Sequence, residues 1–344
     1  MSNAIALLSF WLLADAAQRW RMRNLPELRC IGDPQARGTV IVTGPTSGIG
    51  TETAAEFARR GFKVVLACRS LPRGERLKAN IQQQAIDAGV GSPDIQVMEL
   101  DLASLDSVRK FCDMWEQDGS SIDVLVNNAG IFSMGAPRSE TLDGLELHLG
   151  TNYLACFLLT MRLLPFLRQA GTSLRDESSG SREARIVMVA SKLHEVGSIH
   201  VEDPHLLHAY SPADAYGQSK LAQVMFTSEL RKRIPSSWNV GCYSLHPGNV
   251  MTDVVRTLPA MLQKAYRLIM GLFLLTPSQG ARCTIYVATD RQARTVSEAT
   301  PGYFDSDCKL KAPSAGAQDA AVAKWLWDFS VETVNLPSKF NLVA

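Results

Sequence analysis

Residues Thr39–Gly50 read TVIVTGPTSGIG. The first five are apolar or β-branched without polar alternation, which predicts a strand buried on both faces. Gly44, Gly48 and Gly50 follow, and then TETAAEFARRG, whose apolar positions recur at helical spacing up to a stop at Gly61. Glycines between a strand and a helix let the backbone turn sharply and approach a pyrophosphate without a Cβ clash. The helix beyond aims its unpaired N–H groups and positive dipole end at that anion. At the head of a strand–helix–strand unit, this turn predicts a dinucleotide site, with Gly44, Thr46, Ser47, Gly48, Ile49 and Gly50 as its cradle.

The same rhythm continues outward. FKVVLAC, IQVMELDL, IDVLVNNAG, RIVMVAS and WNVGCYSLHPG read as further strands, with a short one near GYF. Helices are expected between them: PRGERLKANIQQQAIDAG from Pro72 to Gly89, SLDSVRKFCDMWEQ, and a long region in TLDGLELHLGTNYLACFLLTMRLLPFLRQ. Others are PADAYGQSKLAQVMFTSELRKRI, LPAMLQKAYRLIMGLFLL, PSQGARCTIYVATD and AQDAAVAKWLWDFSVET. GTSLRDESSGSREA reads as a polar surface loop. Alternation of this kind predicts an α/β, single-domain Rossmann fold: a doubly wound parallel sheet of about seven strands with helices on both faces. The domain spans 38–335, and residues 1–37 form an appendage.

The second strand ends Cys68-Arg69-Ser70, where a fold preferring NAD often places an acidic residue for the ribose 2′-OH. An arginine fork suits a 2′-phosphate instead, so NADP(H) is expected, with NAD(H) the alternative.

On the helix PADAYGQSKLAQ, Tyr216 and Lys220 stand four apart and share one face. A phenol alone ionises near pH ~10. A neighbouring ammonium favours the phenolate, which is expected to bring Tyr216 toward the range useful for proton transfer.

TGPTSGIG (43–50), NNAG (127–130), Asn152, Ser191 and YGQSK (216–220), in that order, resemble the classical short-chain dehydrogenase/reductase superfamily over about residues 38–310. LACRS and LHPGNVMTD are similar to its retinol-dehydrogenase-like branch. NNAGIFSMG, SKLAQVMFTSEL and LQKAYRLIMGLFLLTPSQG resemble the plant FOREVER YOUNG oxidoreductase and the animal X-linked dehydrogenase/reductase. The resemblance implies a catalytic set of Asn152, Ser191, Tyr216 and Lys220. Tyr216 would exchange the proton, Ser191 orient the substrate oxygen, Lys220 bind the nicotinamide ribose, and Asn152 anchor a water linking Lys220 to solvent. It places Asp101 and Leu102 beside adenine, and Asn128, Ala129 and Gly130 along the adenosine side. Pro247 and Gly248 fall beside nicotinamide, and Thr252 on its carboxamide. The implied activity interconverts a lipophilic alcohol and its carbonyl. The alternatives are an NAD-preferring polyprenol or steroid dehydrogenase and a nucleotide-sensing scaffold without turnover. The resemblance also admits a homodimer.

Two departures stand out. The serine motif reads VAS, leaving Ser191 as the candidate. The stretch KLHEVGSIHVEDPHLLHAYSPAD separates it from Tyr216 and is expected to be a surface loop at the substrate mouth, with His194 and His208 as candidate lining residues.

Composition narrows the field. The 344 residues carry a net charge of +1 with 20% charged residues, and no basic stripe points to nucleic acid. Seven cysteines without a C-x-x-C pair read as buried free thiols rather than a disulfide framework. His194, His200, His205 and His208 lack the cysteines or second histidine pair of a tetrahedral site, so no metal is expected. The N-terminus has an apolar run, Ala4–Ala14, followed by Arg19, Arg21 and Arg23. It is shorter than the ~20 residues that cross a bilayer. An uncleaved anchor, an interfacial helix and a helix packed on the domain remain open, and arginines after the run suit a membrane surface facing the cytosol. The endoplasmic reticulum is the favoured organelle, with lipid droplet, plastid and mitochondrion left open. Leu258–Leu275 reads as an apolar substrate lid or a core helix.

Overall fold

The computed structural model describes residues 26–33, 36–89, 91–133, 135–176, 182–250, 274–297 and 300–342. The apolar run Ala4–Ala14, its arginines, Thr252 and all of the stretch 258–275 except Leu274 and Leu275 lie outside the described residues.

Strands β1 (Thr39–Thr43), β2 (Lys63–Cys68), β3 (Ile95–Glu99), β4 (Val124–Asn127), β5 (Ala184–Val189), β6 (Val240–Leu245) and β7 (Tyr303–Phe304) form one sheet, ordered β3-β2-β1-β4-β5-β6-β7. Every pairing is parallel, with Val40 opposite Val64 on one side and Val124 on the other. The order reverses between β1 and β4, and in a doubly wound sheet ligands bind at the strand ends beside that reversal. The glycine turn and NNAG both lie there.

Helices α1 (Gly48–Arg59), α2 (Leu71–Asp87), α3 (Leu105–Asp118), α4 (Ala155–Asp176), α5 (Pro212–Arg233), α6 (Pro277–Thr289), α7 (Arg291–Ser297) and α8 (Ala320–Thr333) cover the sheet. The central strands are buried on both faces, as their unbroken apolar runs require. Ile41, Leu125 and Ile186 pack toward α3, α4 and α5, while Val40, Val42 and Leu66 pack toward α1 and α6. Local chemistry sets several boundaries. Ser104 accepts the Ser107 N–H at the start of α3, and Thr276 with Gln279 forms a reciprocal cap on α6. Asp319 caps α8, which is why that helix starts at Ala320 after a separate turn at Gly316–Gln318.

The structure corrects the polar loop expected from residue 171. Helix α4 continues to Asp176, and within it Thr172 and Ser173 turn their hydroxyls back onto Arg168 O and Gln169 O. Gly171 lets the chain pass close to Trp238 and Asn239, where a Cβ would sit 2.3 Å from Trp238 O.

Helix α8 lies over α4 and α5. Trp327 meets Phe157 and Phe226, and the Tyr153 and Ser330 hydroxyls hydrogen-bond at 2.7 Å. Among the described residues, the helix Leu149–Leu174 is long and apolar enough to cross a membrane, but 89% of its apolar 18-residue window is buried inside the domain, as in a core helix. Leu28–Cys30 and Ile31 pack on the domain, held by Arg60, whose guanidinium donates to Leu28 O, Ile31 O and Asp33 O. All seven cysteines are free; Cys30 is exposed and Cys308 half-buried, a departure from the all-buried expectation.

Candidate active site

The glycine turn has the geometry a pyrophosphate needs. Gly44 and Gly48 take φ of +60° and +57°, which other residues rarely adopt. At Gly50 a Cβ would stand 2.4 Å from Gly44 O and 2.6 Å from Asn128 Nδ2, so only glycine fits. Thr43 ties this turn to NNAG: its Oγ1 accepts the Asn128 and Ala129 N–H groups, both at 3.0 Å. Asn128 returns Nδ2 to Thr43 O and Gly44 O. Ser47 precedes the first turn of α1, whose N–H groups face the turn. The cradle therefore suits a dinucleotide by its own geometry.

Arg69 is exposed where β2 ends, and Arg73, in the first turn of α2, reaches across to the glycine turn with Nη2 3.1 Å from Thr46 O. Asp101 spends Oδ1 on the Ala103 N–H, and Leu102 is buried in the core. Pro247 and Gly248 are buried just beyond β6, with Gly248 at φ +90°.

Asn152, Ser191, Tyr216 and Lys220 come together from three elements. Asn152 sits in a π-helical turn, Leu149–Leu154, at the head of α4. Such wide turns are uncommon and cluster at functional sites. Its side chain clamps the segment after NNAG: Oδ1 accepts Ile131 N–H at 2.8 Å, and Nδ2 donates to Ile131 O and Ser219 Oγ, both at 3.0 Å. Ser191 follows β5; its Oγ accepts the Leu193 N–H at 3.2 Å and lies near enough to the Tyr216 phenol to act on its ionisation, despite the long excursion between them. That excursion is no free loop. His200 N–H donates to Gln218 Oε1, Gln218 Nε2 donates to Pro204 O, and His200 faces Asp214 at 3.1 Å.

The electrostatics differ from the expectation for Tyr216. Burial pushes its phenol up to about 12, opposed by the nearby Ser191 hydroxyl. Lys220 Nζ lies 5.5 Å from the centre of the Tyr216 ring and is itself pushed down to about 8 by burial, with the Cys156 thiol opposing. Desolvation thus sets the direction of the Tyr216 shift. At neutral pH Tyr216 is a neutral O–H donor.

Several functional neighbours were not foreseen. Phe132 packs on Tyr216 with ring centres 4.5 Å apart. Beneath them lies a buried pair, Glu146 and His148. His148 Nδ1 donates to Glu146 Oε1 at 2.9 Å, and Nε2 accepts Ser133 N–H at 3.1 Å, which assigns the neutral tautomer. Burial pushes Glu146 up, but hydrogen bonds from His148 and the backbone N–H groups of His148 and Leu149 hold it below its usual value. Gln223 links Lys220 to Asn152. Its place three residues after Lys220 on one helix was the available signal. His194 does not line a mouth: it is buried against Tyr303, with Nδ1 on Ser191 O and Nε2 accepting Ser314 N–H. His208 lies on an exposed turn whose N–H donates to Asp203. Among the described residues, no group of three or more histidine, cysteine or acidic side chains is arranged to hold a metal ion.

A family model described as short chain dehydrogenase matches residues 38–263. Retinol dehydrogenase 14 of Homo sapiens is 37% identical over 340 residues, covering 95% of this chain and 95% of that protein. The Arabidopsis thaliana dehydrogenase/reductase SDR family member FEY is 36% identical over 310 residues, 87% of this chain and 79% of its own length. Among solved structures, the crystal structure of an uncharacterized protein from Mycobacterium paratuberculosis superposes with a TM-score of 0.66 at 31% identity, covering 90% of this chain and 97% of that one.

Proposed function

The chain belongs to the short-chain dehydrogenase family, and on that premise we propose that it is an NADP(H)-dependent oxidoreductase interconverting a lipophilic alcohol and its carbonyl. The observation that carries this reading is the buried Lys220 ammonium 5.5 Å from the centre of the Tyr216 ring, with Ser191 at the end of β5 beside that phenol. A nicotinamide held beside Pro247 and Gly248 would supply the hydride chemistry. The protein does the rest. Ser191 and Tyr216 hold the substrate oxygen between two hydroxyls. As the carbonyl carbon gains hydride, its oxygen takes the proton of Tyr216 Oη, leaving a phenolate that the Lys220 ammonium stabilises. Oxidation runs the same transfers backward.

For the cofactor, Arg69 and Arg73 flank the end of β2 where an acidic residue would serve NAD, and two guanidinium groups favour a 2′-phosphate. Asp101 and Leu102 stand near the adenine position by resemblance, and Thr252 is proposed for the carboxamide. The relative named for retinol supports a lipophilic substrate. The apolar, arginine-flanked N-terminus supports membrane association with the catalytic domain facing the cytosol. A homodimer would have to use faces other than the side of α4 and α5 that α8 covers.

The test is fluorescence titration of NADPH and NADH on wild type, Arg69→Ala and Tyr216→Phe, with retinal reduction followed in detergent. Expected are tighter NADPH binding, loss of that preference in Arg69→Ala, and retained binding with turnover down about 10²–10⁴-fold in Tyr216→Phe. Equal NADH binding in wild type and Arg69→Ala would replace the NADP reading with an NAD-preferring one. Binding with no turnover on retinal or on short water-soluble aldehydes would favour the scaffold reading.

A further inference from the structure

Lys220 is 3% exposed, and among the described residues no carboxylate touches it. Its hydrogen-bond partners are two neutral oxygens, Val189 O at 3.1 Å and Gln223 Oε1 at 3.0 Å. Gln223 is fully buried in α5, and its Nε2 donates to Asn152 O at 2.6 Å. The titratable groups facing Nζ are Tyr216 from the same helix and the Cys156 thiol from α4. Gly130 lies against the ammonium, where a Cβ would stand 3.2 Å from Nζ. An ammonium has three donors. Two are committed to Val189 and Gln223, and the third is left for the Gly130 side.

The family resemblance gives Asn152 a water that would link Lys220 to solvent. Here the Asn152 carbonyl already accepts the Gln223 amide, and the Asn152 side chain is engaged by Ile131 and Ser219. We infer that Gln223 is a positioning residue for Lys220, its carboxamide bridging Nζ to the Asn152 carbonyl in place of a water. This rests on Lys220 acting as the partner of Tyr216. A carboxamide accepts at oxygen and donates at nitrogen in fixed directions. It does not reorient as a water does to hand a proton onward. The branch through Asn152 therefore holds Lys220 in place without conducting, and a proton passing from Lys220 toward Tyr216 leaves by its third N–H. A neutral acceptor also stabilises the ammonium less than a carboxylate would, in keeping with the downward push that burial gives Lys220.

The experiment is a pH titration by NMR of the full chain labelled with ¹³Cε-lysine, with Lys220→Met assigning the resonance. Gln223→Glu sets a carboxylate against Nζ, and the midpoint is expected to rise by about one pH unit or more. Gln223→Met keeps the length and loses both hydrogen bonds, and its midpoint is expected to fall. The pH profile of retinal reduction should move in the same directions, with kcat changing more than KM. An unchanged Lys220 midpoint in both variants overturns the inference; should Gln223→Glu not fold, Gln223→Met decides alone. Shifted midpoints in a protein that turns over no retinal would keep this assignment while counting against the functional reading. Unmoved midpoints with activity intact would do the reverse.

Discussion

Asn152→Ala should separate a structural clamp from a chemical role. The side chain makes hydrogen bonds at 2.8, 3.0 and 3.0 Å to Ile131 N, Ile131 O and Ser219 Oγ. Each is worth about 1 kcal/mol net, and more where the abandoned partner stays buried. Ile131 is half-buried, so water can reach its backbone after the change, and the buried Ser219 hydroxyl keeps its bond to Tyr216 O, so the lower figure applies. The sum is roughly 3 kcal/mol. For a domain of about 300 residues unfolding with ~2.1 cal/mol/K per residue, that corresponds to a Tm lower by roughly 5 °C. The clamp also seats Phe132 on Tyr216, so turnover should fall with the melting point, by about 10²-fold for a displaced catalytic group. Differential scanning fluorimetry and retinal reduction on one preparation would measure both. A Tm within about 1 °C of wild type together with a large loss of turnover would refute the clamp, since three hydrogen bonds cannot be lost at so little cost.

Two further outcomes follow from the geometry. Glu146 has a folded pKa below its ordinary 4.5. Its contribution is therefore present above about pH 4.5 and lost as pH falls through the lowered folded value. Glu146→Gln should lower Tm at pH 7, and the gap to wild type should close on acidification; a gap constant from pH 7 to pH 3 would contradict this. Gly50→Ala would drive a Cβ to 2.4 Å from Gly44 O, a backbone atom that cannot step aside cheaply. About 1–3 kcal/mol of destabilisation is expected, with NADPH affinity down at least about tenfold by fluorescence titration, and unchanged affinity would exclude the turn from the binding site.

What could be read from the sequence was local. TVIVTGPTSGIG carries strand, turn and helix start within one short window, and β1, the positive-φ glycines and α1 fall there as expected. Tyr216 and Lys220 share a helix face because four residues of α-helix put them there, whatever surrounds them. What escaped notice depends on partners far along the chain. Thr43 is an ordinary strand residue until β4 brings Asn128 beside it, 85 positions away. Gln223 looks like a core-facing polar residue until the π turn presents Asn152 O, 71 positions away. GTSLRDESSGS has a loop's composition, but the helix runs on to Asp176, where Ser and Thr hydroxyls spend their polarity on the preceding turn instead of ending it.

The direction of the Tyr216 shift follows the same division. Spacing alone supplies the ammonium and therefore the expectation of a lowered phenol pKa. Burial decides the sign, and burial is a property of the packed site: Phe132 covers the ring, while Val189 and Gln223 turn the ammonium toward neutral oxygens. A buried cation matched only by carbonyl-type acceptors and a phenol kept neutral both cost stability in isolation. Under the proposed function they leave a proton donor at Tyr216 Oη and a positive charge nearby for the phenolate made when that proton departs, so the arrangement would be complementary to the charge that develops during reduction rather than to the resting pair.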